Sequence, residues 1–128
     1  MNWYKPKRKL TEEDFQKIQN ELHITFPEDF KHLMAPIHGA RLRTAYVRVD
    51  GVGKVSYDRN IPLIQGEVAN IYDIYGLIGN LIPIAGTGFG DYFCYDPDTW
   101  KIVLYMHETN NVISVCDSFE ELLNMISF

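Results

Sequence analysis

Basic residues are nearly missing from the second half of this sequence. From Asn60 onward Lys101 stands alone against nine acids (Glu67, Asp73, Asp91, Asp96, Asp98, Glu108, Asp117, Glu120, Glu121), a net of −8. The first 59 residues hold eleven Lys or Arg and eight Asp or Glu, a net of +3. A field of that sign argues against nucleic acid as the ligand of the C-terminal part and for a basic partner. A solvated acidic surface with no partner is the plain alternative.

Other absences narrow the chemistry. Only two cysteines occur, Cys94 and Cys116, with no C-x-x-C and no histidine at ligand spacing, so zinc is not expected and both read as buried, reduced thiols. No apolar run approaches the roughly 18 residues that would span a bilayer, and Met1–Pro6 lacks a signal-peptide core, which points to the cytoplasm. His107-Glu108 begins like H-E-x-x-H, but Asn111 replaces the second histidine and the stretch reads as a turn. His23, His32, His38 and His107 are scattered and read as surface or helix-end residues. None of Ser56, Ser114, Ser118 and Ser127 has the glycine bracket of a nucleophile elbow, and Asp96 and Asp98 sit in a Pro-containing turn.

What is present describes one domain over residues 1–128, with residues 1–10 a short basic leader built around Lys5-Pro-Lys-Arg-Lys9. Thr11 is an N-cap candidate, and Phe15, Ile18 and Leu22 recur at helical spacing behind it. Pro27 suits the start of a second helix with Phe30, Leu33, Met34 and Ile37 on its apolar face, and Gly39 is its stop. Thr44–Val49 and Lys54–Tyr57 read as strands joined by Asp50-Gly-Val-Gly53. Asn60–Gly66 reads as loop, and Val68–Ile78 as a strand with some helical character.

The last third alternates strands and turns: Leu81–Ala85, Tyr92–Tyr95, Ile102–Met106 and Val112–Cys116 form an antiparallel meander. Asp117-Ser118, followed by Glu120 and Glu121, opens a closing helix with Phe119, Leu122, Leu123 and Ile126 on one face. The expectation is an α+β fold: an antiparallel sheet of about five to six strands with two N-terminal helices and one C-terminal helix on one face.

Gly86, Gly88 and Gly90 alternate in IAGTGFGDYFCYD, residues 84–96. A phosphate loop needs a helix N-terminus directly downstream, and Asp91–Tyr95 is strand-like instead. The glycines therefore read as a tight turn between strands.

Four pieces in order resemble the SUKH superfamily: Phe26-Pro-Glu-Asp-Phe-Lys31, Ile82–Asp96, Val103-Leu-Tyr-Met-His-Glu108 and Asp117-Ser-Phe-Glu-Glu-Leu-Leu123. The sequence departs from the family pattern after the second helix, where Ile37-His-Gly-Ala40 replaces Asn-Gly-Gly. The resemblance implies an α+β fold without enzymatic activity; no cofactor or metal is expected. In bacteria it implies an immunity protein that binds and neutralises a polymorphic toxin, often a nuclease. The superfamily's yeast cell-wall synthesis regulator supplies the alternative, a regulatory scaffold that binds an endogenous cytoplasmic partner. A third possibility, a small hydrolase or ligand-binding protein, would use a cleft between helices and sheet.

A basic nuclease domain is the partner that the acidic C-terminal part fits, with no nucleic acid or membrane contact of its own. Phe89 beside Asp91 is the first candidate contact, an aromatic anchor on the glycine turn. In the opposite reading Phe89 tucks into the core and Asp91 caps the turn. Tyr72, Asp73 and Tyr75 are the further candidates.

Overall fold

A computed structural model describes all residues from Met1 to Phe128. Helix α1 spans Glu12–Leu22 and starts at a full capping box: Thr11 Oγ1 accepts from the Asp14 N–H, and the Asp14 carboxylate accepts from the Thr11 N–H. Asp14 also takes two hydrogen bonds from the Arg8 guanidinium, which holds its carboxyl well below the usual carboxylate range. Helix α2, Glu28–Met34, begins after Pro27 and runs into a 3₁₀ turn over Ala35–Ile37. Gly39, at φ 66°, then reverses the chain.

The β residues form two antiparallel sheets. Strands β1 (Tyr46–Val49) and β2 (Gly53–Ser56) are the expected hairpin, and β1 pairs on its other side with β8 (Ile126–Ser127) at the C-terminus. The larger sheet has the order β3-β4-β5-β6-β7, from Arg59–Asn60, Ile82–Gly86, Tyr92–Tyr95, Ile102–Met106 and Asn111–Cys116. Its last four strands are the meander read from the sequence. Helix α4, Phe119–Met125, starts at Ser118, whose hydroxyl accepts from the Glu121 N–H.

One sequence reading here needs correction. Val68–Ile78 contains no strand; Ile71–Ile74 form a short helix, α3. The Asn70 side-chain oxygen accepts from the N–H groups of Tyr72 and Asp73, so a cap overrides the aromatic and β-branched preference of the segment. His38 stands at a helix end, as one of the two readings had it, just after the 3₁₀ turn, and there it is fully buried.

The main core lies between the large sheet and the helices. Phe93, Tyr95, Ile102 and Leu104 join it from β5 and β6. Phe30 of α2 stacks on Phe26 at 4.8 Å and meets Tyr95 and Phe119 edge-on at 5.6 and 5.0 Å, so one ring ties α2, β5 and α4 together. The opposite face of the sheet carries no long helix. A small cluster of Leu81, Cys94 and Val103 forms there, packed by Ile78, Tyr92 and Tyr105.

Candidate functional site

The tip of the β4–β5 hairpin is built from its own side chains. Thr87 is buried; its hydroxyl accepts from the Phe89 N–H and donates to the Asp91 carbonyl. Gly88 and Gly90 have φ of 85° and 92°, a conformation that L side chains rarely adopt. A Cβ on Gly90 would also lie 3.0 Å from the His107 ring. Asp91 Oδ1 accepts from His107 Nδ1 at 2.6 Å and from the His107 N–H at 3.0 Å. One carboxylate oxygen thus fastens the hairpin to the β6–β7 turn. On this fastened tip Phe89 is 75% exposed. The reading that tucked Phe89 into the core is thereby corrected, while Asp91 ties the turn as that reading had it.

The helix-free face of the sheet continues from the tip. Register places Arg59, Gly86, Tyr92, Tyr105 and Val112 opposite one another across β3 to β7, and Cys94, Val103 and Ser114 form the next row on the same face. Tyr92 and Tyr105 are half-buried, while Val112 and Leu77 are 50% and 77% exposed. A shallow groove runs between the loop after α3 and the sheet, lined by Leu77, Leu81, Tyr105 and Val112 with Asp96 and Asp98 among its polar residues. An apolar strip with acids beside it has the composition of a protein contact surface.

The other sequence candidates lie on α3. Tyr72 is half-buried and lines a separate groove with Arg8, Asp14, Lys17 and Leu63; burial, then the nearby Glu21 carboxylate, pushes its hydroxyl pKa up. Asp73 is exposed, and Tyr75 packs partly on the main core. Phe89 and Asp91 thus share one turn, whereas Tyr72, Asp73 and Tyr75 share another element. Tyr92, Tyr105 and Val112 were missed as surface residues. The runs YFCY and IVLYM hold no polar–apolar alternation to say which face is the core, so only the pairing register places these residues opposite the core positions.

The thiols are reduced and buried as expected. Burial pushes the Cys94 pKa up, and pushes that of Cys116 up to about 11, so neither is poised as a nucleophile at neutral pH. No group of three or more His, Cys, Asp or Glu is placed to hold a metal ion. No helix is long and apolar enough to cross a membrane.

The family model described as SMI1 / KNR4 family (SUKH-1) matches residues 9–125, well over half of the chain. The chain belongs to the SMI1/KNR4 family. No curated protein and no solved structure matches it. The SMI1/KNR4 match runs from just before α1 to the end of α4, so the fastened hairpin and the helix-free sheet face both lie inside the family domain.

Proposed function

We propose that this SMI1/KNR4 protein is a non-enzymatic cytoplasmic immunity protein that neutralises a bacterial polymorphic toxin by direct binding, with a basic nuclease domain as the partner. The observation that carries this reading is the conjunction of an apolar, helix-free sheet face with a C-terminal part holding nine acids and one lysine. A nuclease presents basic surface to its substrate. An acidic inhibitor is drawn to that surface over long range and then occupies it. Phe89, Tyr105, Val112 and Leu77 supply the desolvated apolar area such a contact needs, and Asp96 and Asp98 the charge beside it. Tyr72, Asp73 and Tyr75, on α3, are the more peripheral members of the proposed contact set.

Co-expression with a panel of toxin domains, scored by survival and followed by calorimetry on purified pairs, tests this directly. Survival with at least one nuclease domain, and a one-to-one complex in solution, is expected. Protection from none of the panel, together with capture of an endogenous cytoplasmic protein by the same surface, would replace this reading with the regulatory one.

A further inference from the structure

Strand β7 lies at the end of the large sheet, and its outer edge is open. No backbone hydrogen bond outside the β6 ladder involves Asn111 through Val115. The phase of the ladder identifies the groups that face outward. The Asp96 N–H donates to the Lys101 carbonyl, and alternation along β6 then directs the amides of Lys101, Val103 and Tyr105 toward β5. Those of Ile102, Leu104 and Met106 face β7. Val112 and Ser114, opposite Tyr105 and Val103, therefore turn their own N–H and C=O groups away from the sheet.

Proteins ordinarily blunt such an edge with Lys, Pro, a bulge facing outward, short length or a covering segment. The other edges here follow that rule. β3 is two residues long and is engaged by the Arg41–Arg59 bridge and by the Asn60 N–H bond to Ala40. β2 carries Lys54, and β8 is two residues long. β7 has six residues, NVISVC, with no charge, proline or glycine; its one register shift, at Val115, lies at its C-terminal end and leaves Asn111 to Ser114 regularly paired with β6. Its flanks are acidic: Glu108 in the preceding turn, then Asp117, Glu120 and Glu121, with Lys101 the sole base and already 3.7 Å from Asp117.

We propose that β7 is the docking edge for the partner: an extended partner segment, apolar at alternate positions and flanked by Lys or Arg, adds to the sheet as a sixth strand. The proposal rests on the reading that the protein acts by binding a basic protein, and it specifies how. Main-chain hydrogen bonds to Val112 and Ser114 supply affinity, and Val112 and Ser114, which end two successive cross-strand rows on the helix-free face, receive alternate side chains of the incoming strand. Charge decides the occupant. Antiparallel self-pairing would bring Glu108 of one copy toward Glu120 and Glu121 of the other, whereas a basic-flanked strand is attracted at both ends.

The test uses the full chain and a synthetic peptide with six alternating valines and threonines between two lysines at each end. The peptide is expected to bind and to slow amide exchange at Val112 and Ser114. Its glutamate-flanked counterpart is expected to bind about tenfold more weakly or not at all. Ser114→Pro, which removes an outward N–H and leaves the β6 ladder intact, is expected to abolish binding. Val112→Lys, which keeps the backbone whole, is expected to weaken it and guards against a folding defect in the proline variant.

Equal binding of both peptides, protection elsewhere in the chain, or no loss in either variant overturns the proposal. So does self-association that Ser114→Pro abolishes, because the occupant is then a second copy. A toxin domain still neutralised by both variants removes the strand site and leaves the immunity reading standing. Peptide binding with no toxin neutralised does the reverse.

Discussion

His38 is tolerated at full burial because both of its ring nitrogens have partners. The Leu63 N–H donates to Nε2 at 2.7 Å, so that nitrogen carries no proton; Nδ1, 2.8 Å from the Arg8 carbonyl, is then the donor. The imidazole joins the N-terminal leader to the segment after β3. Protonation would set an Nε2 proton against the Leu63 N–H, and burial, the largest influence, lowers the His38 pKa below its ordinary value. The Arg8 carbonyl and the more distant Glu67 and Asp14 carboxylates oppose this, while the Arg8 charge adds to it.

The folded state therefore binds the proton less readily than the unfolded chain. Stability is complete above the ordinary histidine pKa and falls as pH drops below it, with a slope of at most about 1.4 kcal/mol per pH unit. NMR titration is expected to show the His38 ring still mostly unprotonated at the ordinary histidine pKa of about 6.5. A His38 midpoint at or above that value contradicts the assignment. Nothing in the sequence marked His38 as internal, because an isolated histidine belongs to no periodic pattern and its partners lie 30 and 25 residues away.

The elements that were legible in the sequence are those stabilised by neighbours in the chain. The meander strands are separated by short turns, α1 carries Thr11 with Asp14, and α4 carries Ser118 with Glu121, so local chemistry and the tertiary outcome agree. The assignment of β1 and β2 to a separate sheet was not legible, since it depends on β8 returning from the far end of the chain. The misread element, α3, starts on side-chain hydrogen bonds that no periodic pattern announces. Asn70 caps two amides and donates to the Glu67 carbonyl, and the Arg59 guanidinium holds the Val68 and Ala69 carbonyls just before it. Asn70→Ala is expected to cost about 1 kcal/mol in urea unfolding and to speed amide exchange at Tyr72 and Asp73. An unchanged unfolding midpoint and unchanged exchange would show that the packing of Ile71 and Ile74, not the cap, fixes this helix.

Across the whole molecule, the two halves of the chain treat their charges differently. In the first half Arg8 pairs with Asp14, Lys31 with Glu12 and Glu28, and Arg41 with Asp58. With Lys17 beside Glu21, four of the eleven bases there have an acidic partner in the same half. In the second half only Glu67 and Asp117 pair with a lysine, Lys7 and Lys101, and Asp91 is hydrogen-bonded by His107. Asp73, Asp96, Asp98, Glu108, Glu120 and Glu121 have no cationic partner, so their field extends into solvent, and it extends only as far as salt permits, about 10 Å at 0.1 M. The consequence for a basic partner is kinetic before it is energetic. Raising salt from about 0.05 to about 0.5 M is expected to slow association by roughly tenfold or more, while dissociation, governed by apolar contacts at short range, changes much less. Asp96→Asn with Asp98→Asn should lower the low-salt association rate and flatten its salt dependence, which stopped-flow mixing with the proposed basic partner can measure. An association rate indifferent to salt would mean that shape alone selects the partner and that the acidic second half serves solubility.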